Sequence, residues 1–231
     1  MQALIRVACG MFFCLGSLGS LLGSKANAHQ TASCPLSVNI TGFQSLSQSR
    51  IATLVSFARE HKISFGITQE LPGMYDQVNV KMAQGTVRSI VKAILGPHAR
   101  VASTCVFGVI LIGATTAPPH WLCQRVPEFK ILKSPVGIVN AELNMQLESS
   151  KNPSRKGFAG DIMGDLGPVI GPMDLKGATV RTLLCRLASE WPGTVWMAGA
   201  VHGVPGARWS NSFWTLLPPG DGASTSSALM H

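Results

Sequence analysis

The sequence predicts an α+β protein made of two small units, each with a short amphipathic helix packed on a mixed or antiparallel sheet. Residues 84–95 place apolar side chains at the i, i+3, i+4, i+7, i+8 spacing of a one-sided helix, and residues 178–188 repeat that spacing. The triplet Thr-Val-Arg opens both helices, with Thr86 and Thr179 lying 93 residues apart where each can cap the first turn. Helices this short need a packing partner, because nucleation costs more than a few hydrogen bonds return.

The N-terminus has the pattern of a secretory signal. Arg6 supplies a positive charge, residues 7–23 are apolar and uncharged, and Ala26-Asn27-Ala28 is a small-x-small cleavage site. We therefore expect residues 1–28 to be a signal peptide cleaved after Ala28, and the mature protein to be periplasmic or secreted. No later run is long enough to span a bilayer, so we expect no membrane-spanning segment.

The composition favours a folded core and gives no sign of a nucleic-acid partner. Hydrophobic residues make up 46% of the chain and charged residues 13%, which is not the composition of a disordered protein. The formal charge of +8 falls to +6 once Arg6 and Lys25 leave with the signal. The densest basic group, Lys151, Arg155 and Lys156, lies in a Pro/Ser/Gly-rich loop and has no aromatic residues interleaved with it, as expected of a solvated loop.

Four cysteines remain after the signal and are disulfide candidates: Cys34, Cys105, Cys123 and Cys185. An even number in an oxidising compartment predicts two disulfides, and all three pairings stay open. Cys185 lies roughly 130° from the centre of its helix's apolar stripe, so we expect it on the wet side and bridged. The absence of a Cys-x-x-Cys pair gives zinc and thioredoxin-like chemistry no support.

The first predicted unit covers residues 46–113. It follows a polar, irregular segment, 29–45, and begins with a helix over 45–61. Alternating strands near 63–67 and 78–82 lead into the helix that Thr86 caps and Gly96-Pro97 ends. A hairpin of strands near 100–104 and 106–112 completes the unit, with helices covering one face of a sheet.

The second predicted unit covers residues 136–217. It follows a proline-rich linker, 114–135, and opens with a long strand from Val139, because Ala141 and every second residue to Leu147 are apolar. A Gly/Pro-rich loop then leads to the helix that Thr179 caps. A hairpin near 194–200 and 213–217 follows, and residues 218–231 are a flexible tail. The pattern predicts a partial internal repeat of the first unit.

The first unit resembles a known family through the run FAREHKISFGITQELPGMYDQVNVKMAQGTVRSIVKAIL and the later VFGVILIG. Residues 46–112 are similar to the short N-terminal (STN-like) module of secretins and TonB-dependent receptors, and the likeness recurs weakly over 174–217. In that module a helix runs into a strand, followed by a turn, an alternating strand, a Thr-led helix and a final apolar strand. The resemblance implies a periplasmic, non-catalytic docking or signalling module. The second unit also resembles uncharacterised exported bacterial proteins.

No catalytic constellation stands out in the mature chain. A Gly-x-Ser-x-Gly elbow is missing, and no Gly-Lys-Ser/Thr follows the glycines of 157–171. Asp161 and Asp165 in that loop are interpreted as turn residues. We therefore expect no enzyme activity, no cofactor and no metal site.

One alternative uses the mature N-terminus. Cleavage after Ala28 would leave His29 with a free amine beside its imidazole, a pair that can chelate copper. This arrangement resembles copper-dependent polysaccharide monooxygenases, and it would need one further histidine from the set His98, His120 and His202. The alternative function is thus a copper-binding or copper-dependent protein.

Aromatic residues concentrate in the second unit. We expect Trp196 and Trp214 in the core of the hairpin, and Trp209, on the loop between its strands, as an exposed partner contact. The sequence therefore predicts an exported protein-interaction module that docks an envelope protein partner. A purely structural subunit of an envelope assembly is the remaining possibility.

Overall fold

The computed structural model describes residues 33–97, 100–113, 118–151, 167–199, 209–210 and 214–217. The fold class is α+β, as predicted. The predicted signal peptide, 1–28, and the predicted tail, 218–231, lie outside the described residues.

The first half of the fold forms a two-stranded ribbon and three strands of a larger sheet. Its elements are a 3-10 helix Pro35–Ser37, β1 Asn39–Ser49, α1 Arg50–His61, β2 Phe65–Ile67, β3 Gln77–Thr86, α2 Val87–Leu95, β4 Arg100–Val106 and β5 Val109–Gly113. Strands β1 and β3 pair antiparallel and make the first ribbon. Strand β5 lies between β2, to which it is parallel, and β4, to which it is antiparallel.

The second half repeats much of this order. Its elements are α3 His120–Cys123, β6 Arg125–Ile131, β7 Ser134–Pro135, α4 Val136–Lys151, β8 Val169–Ile170, β9 Met173–Thr179, α5 Val180–Ser189, β10 Val195–Ala198, β11 Trp209–Ser210 and β12 Trp214–Leu217. The second ribbon consists of β6 with β9 and, beyond a break, β7 with β8, both pairs antiparallel. Strand β12 pairs antiparallel with both β10 and β11.

The two predicted capped helices are confirmed. The Thr86 hydroxyl accepts a hydrogen bond from the Ser89 backbone N–H at 3.2 Å, and Thr179 accepts one from Thr182 at the same distance. Each threonine satisfies one of the backbone donors that the first helical turn leaves without a partner. The apolar stripes are buried as predicted, in α2 by Val87, Ile90, Val91, Ile94 and Leu95 and in α5 by Val180, Leu183, Leu184, Leu187 and Ala188.

A single central sheet joins the two halves, in the order β11-β12-β10-β2-β5-β4. The junction is the parallel pair β2 and β10, which the Phe65 N–H extends by a 3.1 Å hydrogen bond to the Thr194 carbonyl. Side chains on one face pack with α1, α2 and the first ribbon: Phe65, Ile67, Ile110, Ile112, Val195, Met197 and Leu217. Those on the other face pack with α4, α5 and the second ribbon: Val109, Trp196, Ala198 and Leu216. The layers therefore run ribbon, helices, sheet, helices, ribbon.

The two ribbons share their local geometry. The first residue of α2, Val87, donates its N–H to the Val38 carbonyl at 3.0 Å, and the first residue of α5, Val180, donates to Gln124 at 3.0 Å. Both acceptors stand directly before the first strand of their ribbon. Phe43 and Phe129, 86 residues apart, are buried at matching positions of those strands, so each ribbon packs onto its helices through an aromatic ring.

The predicted strand from Val139 is wrong, because residues 136–151 form α4. Its buried apolar residues, Val136, Val139, Leu143 and Leu147, are spaced by three and four, which fits a helix. The alternation that suggested a strand came from Ala141 and Met145, which are only half-buried. The 16 residues also exceed the usual length of a strand. The second half therefore has a counterpart of α1.

The predicted helix over 45–61 is also shorter than expected. Helix α1 begins at Arg50, because the Ser49 hydroxyl caps it by accepting from the Ala52 N–H at 3.2 Å. Residues 39–49, most of which were expected to be irregular, form β1 instead. Polar side chains occupy most of β1 because one face of the ribbon meets water.

Close packing at the junction depends on a glycine. Trp196 pairs with Gly66 across β2 and β10, and its ring is fully buried. A Cβ built on Gly66 would lie 2.4 Å from the Cε2 and Cζ2 atoms of Trp196. Beside this pair, the buried Ser64 hydroxyl donates to the Ala188 carbonyl at 3.0 Å and accepts from the Gly193 N–H at 3.1 Å. These contacts bind the first half to the end of α5 and to the turn that follows it.

We expect Gly66→Ala to destabilise the protein by about 3 kcal/mol, because the added methyl overlaps the indole ring in a packed core. Urea denaturation followed by circular dichroism measures the loss. In a Trp196→Leu background the same change should cost far less, since the overlapping ring atoms are gone. An equal loss of unfolding free energy in the two backgrounds would contradict the predicted overlap between position 66 and the indole ring.

Candidate functional site

The predicted partner contact Trp209 lies in β11, at one edge of the central sheet, where it pairs with Leu216. The structure describes its backbone but not its side chain. Trp196 is buried in the core as predicted, and Trp191 is half-buried. Trp214 lies in β12 with its side chain outside the described part. The exposure of Trp209 therefore stays a prediction.

Two exposed leucines mark matching points of the two ribbons. Leu46 is 58% exposed and Leu132 is 77% exposed, and they lie 86 residues apart, as Phe43 and Phe129 do. Leu46 falls inside the register shift of β1 between Ser45 and Gln48, and Leu132 falls in the break between β6 and β7. Each ribbon therefore presents an aliphatic side chain to solvent where its strand pairing is interrupted. Sequence reasoning missed both, because it placed Leu46 in the predicted helix over 45–61 and Leu132 in the predicted linker, 114–135.

The outward face of the second ribbon carries alternating charges. Glu128 lies directly across from Lys176, with Oε1 and Nζ 3.8 Å apart, and Lys130 lies directly across from Asp174. All four side chains are exposed. Leu132 continues this face at one end.

The outward face of the first ribbon is mostly uncharged. Gln44 lies across from Lys81, and Gln77 and Asn79 are exposed on the same strand as that lysine. The two ribbons therefore match in backbone geometry and in their exposed leucines, but differ in surface charge.

Cys34 and Cys105 form a disulfide that ties the segment before β1 to strand β4. The bridge closes a loop with a sequence separation of 71, and on chain-entropy grounds it stabilises the fold by about 4 kcal/mol. The other two candidates, Cys123 and Cys185, are free thiols, the first exposed and the second buried.

Cys185 is not on a wet side of its helix, contrary to the sequence expectation. Helix α5 is covered twice, by strand β9 of the second ribbon and by the central-sheet strands β2, β4, β5 and β10. Burial raises the pKa of the Cys185 thiol from 9.0 to about 12, opposed by the Trp196 indole N–H and by the charge of Arg181. The indole Nε1 of Trp196 makes no hydrogen bond of normal geometry to any described atom.

The copper alternative falls largely outside the described residues. His29, His98 and His202 are not described, nor are Asp161 and Asp165. His120 begins α3 and is exposed. In the described part of the chain, no three His, Cys, Asp or Glu side chains are grouped as a metal site would require. Likewise, none of the described helices is both long enough and apolar enough to cross a membrane.

We expect iodoacetamide to alkylate Cys123 quickly in the folded protein and Cys185 only after unfolding. Burial keeps the reagent away from Cys185 and also disfavours the thiolate, which is the reactive form. Peptide mapping by mass spectrometry distinguishes the two sites. An unreactive Cys123 would contradict the free-thiol assignment and favour a second disulfide.

Above pH 9 the Cys185 thiol ionises in the unfolded chain, while in the folded protein it stays neutral until about pH 12. Cys185 therefore lowers the stability of the fold as the pH rises through that range.

Comparison with protein-family models, with curated proteins and with solved structures finds no match to this chain. The likeness of residues 46–112 to the STN-like module therefore depends on residue pattern alone. For the same reason, the exposed leucines and the charged residues of the two ribbons are candidate contact residues because of their exposure and chemistry alone.

Proposed function

We propose that this chain is an exported, non-catalytic protein-interaction module that docks a protein partner in the cell envelope. In this proposal the first half is an STN-like module and the second half is a repeat of it. The main support is the way the fold distributes apolar residues between the core and the surface.

The order of elements supports the likeness. Helix α1 runs into β2, a turn leads to the alternating strand β3, and the Thr-led helix α2 is followed by a hairpin whose last strand, β5, is apolar. This is the order that the resemblance implies. The α3, β6, α4, β9, α5 series of the second half supports a repeat with the same design.

The disulfide supports export. A cross-link between Cys34 and Cys105 persists in oxidising compartments, such as the periplasm or the exterior of the cell. It agrees with the signal-like N-terminus of the sequence.

The observation that carries the proposal is the matched pair of exposed leucines, Leu46 and Leu132. Exposed aliphatic side chains are common singly, but here two occupy matching positions of the two outer layers. Val169, in β8 beyond the break that holds Leu132, is a further exposed aliphatic residue of the second ribbon, with 64% of its surface exposed. A protein partner that covers these side chains would gain the free energy of removing them from water.

The test replaces Leu46 or Leu132 with a photo-crosslinking amino acid in the cells that produce the protein. We expect irradiation to give a covalent adduct with one envelope protein from at least one of these positions. Mass spectrometry then identifies the partner. Adducts of twice the chain mass alone, with none to another protein from either position, would contradict the proposal.

A matched control places the same amino acid at Glu60, which is exposed at the end of α1. Adducts at Glu60 equal to those at both leucines, or none at any position, would contradict the proposal.

A further inference from the structure

The charges on the second ribbon form a pattern that complements itself. Glu128 and Lys130 stand two apart on β6, opposite Lys176 and Asp174 on β9. Sign therefore alternates both along each strand and across the pair. All four side chains point away from the core, because their neighbours Phe129 and Met173 are buried on the other face of the ribbon.

A two-fold axis parallel to the strands would bring two such faces together in register. Rotation about it places β6 of one copy over β9 of the other, with both strands running in their original directions. Glu128 then faces Lys176 of the second copy, and Lys130 faces its Asp174. Every charge on the face thus meets an opposite charge, which is the isologous complementarity of a two-fold dimer.

The apolar end of the face favours the axis parallel to the strands over a two-fold axis that runs across them. Leu132 follows Lys130 by two positions, and the exposed Pro172 precedes Asp174 by two. The axis parallel to the strands brings Leu132 of one copy toward Pro172 of the other. A two-fold axis across the strands would also match the charges, but it would set Leu132 over Val126, which is buried and offers Leu132 no exposed apolar partner.

We propose that two copies of this chain associate face to face through the second ribbon, about a two-fold axis parallel to β6 and β9. The first ribbon does not serve this role, because its outward face has no alternating charges. The inference stands independently of the proposed function, since it needs no envelope partner.

We expect the dimer to be weak, because its interface is small. The exposed face of two short strands gives a footprint of roughly 350 Å² per copy, well below the ~800 Å² per partner of stable complexes. We expect a dissociation constant above about 1 μM. Salt should weaken the dimer further, because the pairs lie at the surface and are screened.

A charge exchange tests the proposal by sedimentation equilibrium at low ionic strength. Glu128→Lys sets lysine against lysine at two points of the dimer, and Lys176→Glu sets glutamate against glutamate. Each variant alone should dimerise at least about tenfold more weakly than the native chain. An equimolar mixture of the two variants should recover a dimer, because the lysine introduced in one variant then faces the glutamate introduced in the other.

Leu132→Ser should also weaken the dimer, whereas the matched control Leu46→Ser should not. Circular dichroism confirms that each variant keeps its fold. A native chain that stays monomeric at all concentrations would overturn the proposal. So would a dimer unaffected by either charge reversal, or a mixture that fails to recover association.

Discussion

The indole ring of Trp196 fills the space that a side chain at position 66 would need, and the rest of the structure depends on this contact. It lies where β2 of the first half meets β10 of the second. Through that parallel pair the two halves contribute to one sheet, and each covers one face of it with its own helices. The sheet is therefore buried on both faces, which explains why β2 and β10 consist entirely of buried residues.

This shared sheet leaves the two ribbons as outer layers. Each ribbon buries an aromatic ring, Phe43 or Phe129, against its helices and turns its other face to water. The exposed leucines of the two ribbons match in position, while the charges on the two outward faces differ.

Much of the fold could be predicted from the sequence because its signals are local. Thr86 and Thr179 mark their helices through caps that need only neighbouring residues, and the strand alternation before α2 is clear. Helix α4 could not be distinguished from a strand, since its apolar residues fit both periods. The position of Cys185 could not be foreseen either, because its burial comes from a sheet assembled by distant strands. Surface features such as the Glu128 and Lys176 pairing require the register between β6 and β9, which sequence does not give.

Because β2 and β10 join them, the two halves should form one cooperative structure. Native-state hydrogen exchange tests it most directly, by comparing the opening free energies of amides in these two strands, such as Ile67 and Met197. We expect equal opening free energies for the two strands, close to the free energy of global unfolding, because neither strand can open without exposing the face that the other half covers. Amides of one half that exchange through a separate opening of much lower free energy would contradict it.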